Sequence, residues 1–240
     1  MPRPHLLLQP PYSSTLLPAC VMRTDSFLRA GAAVTLFSLF TLSAGHAQQR
    51  RSVGNFDKLK ASGACDVVLV QGATTEVKVV TDGELERYIK TEVQNGTLTI
   101  YRDKDAPSSW FGTHKVTVYV TCPRLSGIET SGACDIKSTS TFEADNFTIK
   151  ASGASDVTLG LNTRLLTVTA SGASDVELRG RADRQQVRLS GSSDYKATNL
   201  QSQQADVQAS GSSDAYVSAA QLTSHASGAS DIYNRGRAQR

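Results

Sequence analysis

Ser152-Gly153-Ala154-Ser155-Asp156, Ser171-Gly172-Ala173-Ser174-Asp175 and Ser190-Gly191-Ser192-Ser193-Asp194 are three returns of one pentapeptide. Four more copies begin at Ser62, Ser131, Ser210 and Ser227. From the second copy onward the starts lie 21, 19, 19, 20 and 17 residues apart, whereas the first two are separated by 69. A near-constant period of this size is the mark of a repeat architecture. The text between copies names the unit. Leu166, Val168 and Ala170 alternate with polar residues before one copy, and Val176 and Leu178 alternate after it. That is the period of a half-buried strand on each side. The pentapeptide is therefore a corner, with Gly for a left-handed backbone and Ser and Asp to bond nearby backbone groups.

One such unit cannot bury its apolar side alone. Stacked coils can, because each column of Val, Leu, Ile and Ala then closes on the next coil. The expected fold is all-β, a right-handed parallel β-helix, with regular coils over 126–234 and the first copy stacked on the second. A leucine-rich repeat would need its own leucine and asparagine pattern, which is absent, and propeller blades need about twice the period. Residues 67–125 interrupt the array. Val67–Gly72 with Glu76–Val80 reads as one hairpin, Gly83–Lys90 as a short helical turn, and Val93 to Ile100 around Asn95-Gly96 as a second hairpin. These, with Val116–Val120, are expected to form an antiparallel cap over the N-terminal end.

Residues 1–47 read as a leader. From Met22 onward, Arg23 and Arg29 precede the apolar run Ala30–Leu42, and small residues lead to a cut after Ala47. Residues 48–240 then form one domain, exported to the periplasm, the outer surface or the medium. Leu17-Pro18-Ala19-Cys20 is a loose lipid-attachment pattern without the apolar run it needs. No later segment reads as an integral membrane span. The formal net charge is +3, and the leader's Arg3, Arg23, Arg29 and Asp25 account for all but +1 of it. A near-neutral body has no electrostatic reason to bind nucleic acid or an anionic membrane. Arg235, Arg237 and Arg240 form a small basic tail.

The aspartates Asp66, Asp135, Asp156, Asp175, Asp194, Asp214 and Asp231 are the candidate site, a ladder along one edge. They read as corner residues that bond backbone N–H groups, and as a possible binding edge. One acidic corner per coil without paired glycines differs from calcium-binding solenoids, so no metal is expected. A uniform ladder does not single out the unlike pair of carboxylates that a glycosidase needs. His114 and His225 lack partners at ligand spacing, no nucleophile elbow is present, and no cofactor is implied. Asn146-Phe147-Thr148 is a glycosylation sequon by pattern only, inside an expected strand. Trp110 and Phe111, with Tyr101 and Tyr119, read as cap packing or as an aromatic patch for sugars. Cys65 and Cys134 occupy the same motif position. If their copies stack, a disulfide fits; the alternative is two small buried thiols. Cys122 has no evident partner.

The order of these features resembles one family. Phe56-x-x-Leu59 precedes the first motif, Gly96-Thr97-Leu98-Thr99-Ile100 and Val118-Tyr119-Val120-Thr121-Cys122-Pro123-x-Leu125 come after it, and the string of corners completes the likeness over about 53–234. It resembles the putative auto-transporter adhesin, head GIN domain family of bacterial envelope proteins. The resemblance implies a right-handed parallel β-helix shaped like pectin lyases, with no catalytic residues to carry over. Many family motifs carry Gly as the fourth residue, where this chain has Ser or Cys. The stretch beyond the last corner reads as too short for the membrane barrel of a self-translocating protein. The expected function is that of a non-enzymatic envelope or surface module binding a glycan or a surface protein. The alternative is a carbohydrate-active enzyme using the motif aspartates. Against it, the basic residues Arg164, Arg179, Arg184 and Arg188 are scattered among strand ends and turns.

Overall fold

The computed structural model describes residues 47–81, 83–107 and 115–236. Residues 1–46 of the expected leader, the loop residues Trp110, Phe111 and His114, and the tail arginines Arg237 and Arg240 lie outside the described residues. The strands are β1 (Ala47–Arg51), β2 (Lys58–Gln71), β3 (Glu76–Thr81), β4 (Ile89–Gln94), β5 (Thr97–Arg102) and β6 (Val116–Cys122). They continue as β7 (Gly127–Ala151), β8 (Asp156–Ala170), β9 (Asp175–Leu189), β10 (Asp194–Gly211), β11 (Ala215–Gly228) and β12 (Ile232–Asn234). A 3-10 turn, Gly83–Tyr88, precedes β4. Among the described residues no helix is long and apolar enough to cross a membrane.

The fold is a β-solenoid. Strands β2, β7, β8, β9, β10, β11 and β12 succeed one another in parallel register. Copy one lies on copy two without a break: Lys58–Leu69 pairs residue for residue with Gly127–Ser138, the corner included. Alternation then builds columns. Val67, Ile136, Val157, Val176, Tyr195, Ala215 and Ile232 are successive members of one column. Phe147, Leu166, Gln185, Ala205 and Leu222 are successive members of another. Nearly all of these side chains are buried, and each strand stabilises its neighbour by removing that apolar surface from water.

The corner glycines show why the motif tolerates so little change. Each has a positive φ, from +79° at Gly228 to +99° at Gly63. A Cβ on Gly132, Gly153, Gly172, Gly191, Gly211 or Gly228 would lie 2.5 to 2.6 Å from the carbonyl oxygen of the glycine one coil below. The same oxygens accept the ladder bonds through the bend, as in Ala173 N–H to Gly153 O at 2.8 Å. Gly63 begins the column, and its nearest neighbour would be Arg102 Cβ at 3.9 Å.

The expected first hairpin does not form. Val67–Gln71 of β2 is paired in parallel with β6 on one edge, and the β2 segment through Leu69 pairs with β7 on the other. Strand β3 therefore pairs antiparallel with β6 and with β1 instead. Both edges of β2 are satisfied by partners from far along the chain, which leaves none for its sequence neighbour. The cap is accordingly mixed. Strands β5 and β6 form one further parallel layer against the two halves of β2, and the antiparallel strands β4, β3 and β1 lie outside it. The second hairpin, β4 to β5, forms as expected, with Asn95 and Gly96 both at positive φ.

Among the described residues, the interior holds a polar network that the alternation does not reveal. Fully buried Tyr195 donates its hydroxyl to Gln185 Oε1 at 2.7 Å, and Gln185 Nε2 donates to Ser202 Oγ at 2.8 Å. Ser202 Oγ in turn donates to the Ser218 carbonyl at 3.2 Å. On the following coil the stack positions beside the tyrosine and the glutamine are Ala215 and Ala205, small residues that leave room on that side for the two long side chains.

Two stability measurements test these contacts. Gly63→Ala carries only left-handed strain, about 1–2 kcal/mol. Gly172→Ala must also displace a ladder carbonyl and is expected to lose clearly more in denaturant unfolding; equal losses would contradict the glycine column. Tyr195→Phe leaves Gln185 Oε1 without its donor and is expected to cost about 1–3 kcal/mol although the ring is kept. A neutral result would mean the network contributes nothing.

Candidate functional site

The corner divides its five residues between inside and outside. The third residue is exposed, and the fourth is buried in every copy: Cys65, Cys134, Ser155, Ser174, Ser193, Ser213 and Ser230. The inward serines bond across the bend. Ser155, Ser174 and Ser193 donate to the carbonyls of Ser152, Ser171 and Ser190 at 2.9, 3.0 and 3.1 Å. Ser213 and Ser230 also accept from the backbone N–H of Ser193 and Ser213 one coil away. This column satisfies the corner's polar groups from within, as expected of the motif Ser, and first-position serines add bonds from Ser152 to the Thr130 carbonyl and from Ser210 to the Leu189 carbonyl, both at 3.2 Å. At the N-terminal end two thiols replace the hydroxyls. Cys65 pairs in register with Cys134, and their Sγ atoms lie 3.0 Å apart. The contact with Cys134, with burial, pushes the Cys65 thiol up. Cys122 is buried separately, and burial pushes its thiol up to about 11.

The aspartates face outward at one edge. Asp66 pairs in register with Asp135, and Asp175 with both Asp156 and Asp194. Lysines, more than backbone N–H groups, meet these carboxylates. Lys115 reaches Asp66 at 2.9 Å, Lys137 reaches Asp135 at 3.9 Å, and Lys196 spans Asp175 at 2.6 Å and Asp194 at 3.6 Å. The Asp214 carboxylate accepts the Asp231 N–H at 3.2 Å. These ion pairs are solvent-exposed and contribute little singly, but they neutralise like charges repeated at the strand spacing of about 4.8 Å.

Two residues beyond each aspartate runs a second outward column. Its members in stack order are Tyr119, Val68, Lys137, Thr158, Glu177, Lys196, Tyr216 and Tyr233. Among the described residues, the large hydrophobic side chains left exposed, Tyr119 at 41 % and Tyr233 at 47 %, lie at the two ends of its parallel part. Tyr233 stacks on Tyr216 with ring centroids 5.1 Å apart and planes 10° from parallel, and its hydroxyl donates to Asp231 at 3.3 Å. Lys78 lies over the Tyr119 ring at 5.4 Å. The sequence pattern pointed to Tyr119 but not to the Tyr216–Tyr233 pair. Counting two residues on from each motif aspartate would have found that pair, whereas Tyr119 belongs to a cap strand with no motif. Tyr101 is placed elsewhere, bonded to Glu92 at 2.8 Å, and His225 is exposed on β11.

Concave space lies away from the ladder. A cavity of about 770 Å³ is lined by Phe56, Asp57, Arg124, Leu125, Glu143 and Asp145 among others, and none of its walls is a motif aspartate. Arg164 bonds Asp145 at 2.9 Å on the exposed surface.

One motif aspartate stands apart electrostatically. Burial first, and then the charge of Asp156, raise the Asp135 carboxyl above its ordinary value. A carboxyl raised on folding favours the native state only where it is protonated, so this contribution is lost as pH rises through the folded value. Asp135→Asn is therefore expected to match or exceed the wild-type Tm at pH 7, with the difference vanishing below the carboxylate range. A clear loss of Tm at pH 7 would show that the charge is needed.

Known proteins agree with this architecture. A putative adhesin from Bacteroides fragilis superposes with a TM-score of 0.72 at 22 % identity, covering 80 % of this chain and 98 % of its own. A putative adhesin from Parabacteroides merdae gives 0.60 at 14 %, with 80 % and 97 % covered. A putative lipid binding protein from Parabacteroides distasonis gives 0.58 at 17 %, with 81 % and 96 % covered. No curated protein matches the chain. The family described as putative auto-transporter adhesin, head GIN domain, matches residues 55–238. The chain belongs to that family.

Proposed function

We propose that this chain is an exported, non-enzymatic module of the bacterial envelope or surface that binds an extended glycan along the outer face beside the aspartate ladder. One observation carries the reading: the exposed tyrosines Tyr119 and Tyr233 occupy the two ends of the parallel part of one outward column, and a motif aspartate flanks every member but Tyr119, beside which Thr117 takes that place. The eight strands of that column span about 34 Å at the parallel-strand spacing. A tyrosine face packs against the C–H face of a sugar ring while carboxylates and ammonium groups hydrogen-bond its hydroxyls. A linear polymer suits a linear array that repeats at each coil. A surface protein is the other partner class, and it would meet the same face.

The enzyme alternative has less support. The motif aspartates stand on an open face, and the cavity of about 770 Å³ contains none of them. Hydrolysis needs two carboxylates in unlike environments around an enclosed bond. The family's description points to adhesion, and the leader reading accounts for export. The neighbour named for lipid binding is a fold likeness alone. Among the described residues, apolar columns fill the solenoid's interior where an acyl chain would have to lie.

The test is an array of bacterial and host glycans, read for both retention and product release, with wild type and the double variant Tyr216→Ala/Tyr233→Ala. Retention without cleavage is expected, weakened about tenfold or more by the double change, which removes the stacked pair. Product release abolished by one motif Asp→Asn change would sink the reading. Retention indifferent to both tyrosines would move the site off this face.

A further inference from the structure

We propose that Cys65 and Cys134 form a disulfide that staples the two coils between which the chain leaves the stack and returns. The proposal is independent of the glycan reading. The two residues are direct neighbours in a parallel ladder, and the strand spacing of about 4.8 Å falls within the Cα window of disulfides. Both side chains point inward at the same corner position, and their sulfurs are 3.0 Å apart. Little more than removal of the two hydrogens separates that contact from a bond of about 2.05 Å.

The location makes the bond effective. Elsewhere in the regular array, stacked corner residues are 17 to 21 positions apart in sequence; Cys65 and Cys134 are 69 apart. Between them lies the whole excursion through β3, β4, β5 and β6. Closing the longest loop removes the most conformational freedom from the unfolded chain. Of all the corner pairs, this one therefore gains most from a covalent link. It is also where the two cysteines stand, whereas the other five copies carry Ser at the position.

The chemistry balances by thiol–disulfide exchange. One cysteine thiolate attacks a disulfide-bearing oxidant, expelling one thiolate and forming a mixed disulfide. The second cysteine displaces the remaining oxidant sulfur. Two S–H bonds are lost, one S–S bond forms, and the oxidant leaves as two thiols with both electrons and both protons. Burial of the finished pair places this exchange during folding, before the coils close. Cys122, buried apart from the pair, stays a thiol.

The experiment uses the full chain refolded with glutathione disulfide, with Cys20 changed to Ser so that it does not enter the thiol count. Mass spectrometry of unreduced peptides is expected to show a Cys65–Cys134 link, with one thiol per domain alkylated on denaturation, at Cys122. Reduction is expected to lower Tm by about 5–15 °C. The double variant Cys65→Ser/Cys134→Ser restores the residue used by the other copies, so it folds. It should melt like the reduced protein and ignore reductant, while Cys122→Ser, whatever its own Tm, keeps the wild-type drop in Tm on reduction. Three free thiols at 65, 122 and 134 after refolding, a link involving Cys122, or a Tm indifferent to reductant would each overturn the proposal.

Discussion

Successive corner glycines approach one another too closely for any side chain to stand between them. From Gly63 to Gly228 each bend rests on the one below, and the carbonyl that accepts the ladder bond occupies the place where a Cβ would project. Only a residue without a side chain meets both demands, the left-handed φ and the contact. The corners therefore stack in one register. Because strand register has period two, that single constraint decides which side chains of every coil face in. The aliphatic columns, the inward serine ladder and the outward aspartates are its consequences.

The same constraint arranges the outer face. A coil carries one aspartate beyond its corner and one exposed residue two positions later, and stacking converts these into parallel lines. Lysines at three points of the lines offset the charge of the carboxylates. At the ends Tyr119 and Tyr233 remain exposed. A surface built this way repeats at fixed intervals and has no unique concavity, which is why it suits recognition of an extended partner more than chemistry at one bond.

Much of this was legible in the residues. The spacing of the pentapeptides implied the stack, and the shared motif position of Cys65 and Cys134 implied their neighbourhood. Alternation around Leu166, Val168 and Ala170 identified the buried columns. The failures have physical causes. A strand followed by a turn reads as a hairpin, but β6, arriving from 45 residues beyond Gln71, takes the edge of β2 that β3 would have needed. The motif gives no sign that its fourth residue faces inward, where the hydroxyl is satisfied by a carbonyl of the bend. Gln185 and Tyr195 sit in columns otherwise filled by apolar side chains, and their bonds to each other and to Ser202 satisfy the buried polar groups. The tyrosine stripe depends on the register of a cap strand that carries no motif.

Excision of Ser152–Ala170, one whole coil, tests the glycine-stacked register most directly when set beside excision of Ser152–Leu161, about half of one. Removing the whole coil brings Gly172 onto Gly132 and Val176 beside Ile136, so the account predicts a shorter solenoid with a cooperative thermal transition and an unchanged far-ultraviolet spectrum per residue. Removing half of it leaves the later corners without a strand length to seat them, and that chain should lose its cooperative transition. Equal behaviour of the two variants, whether both fold or neither does, would contradict the claim that one corner per coil sets the fold.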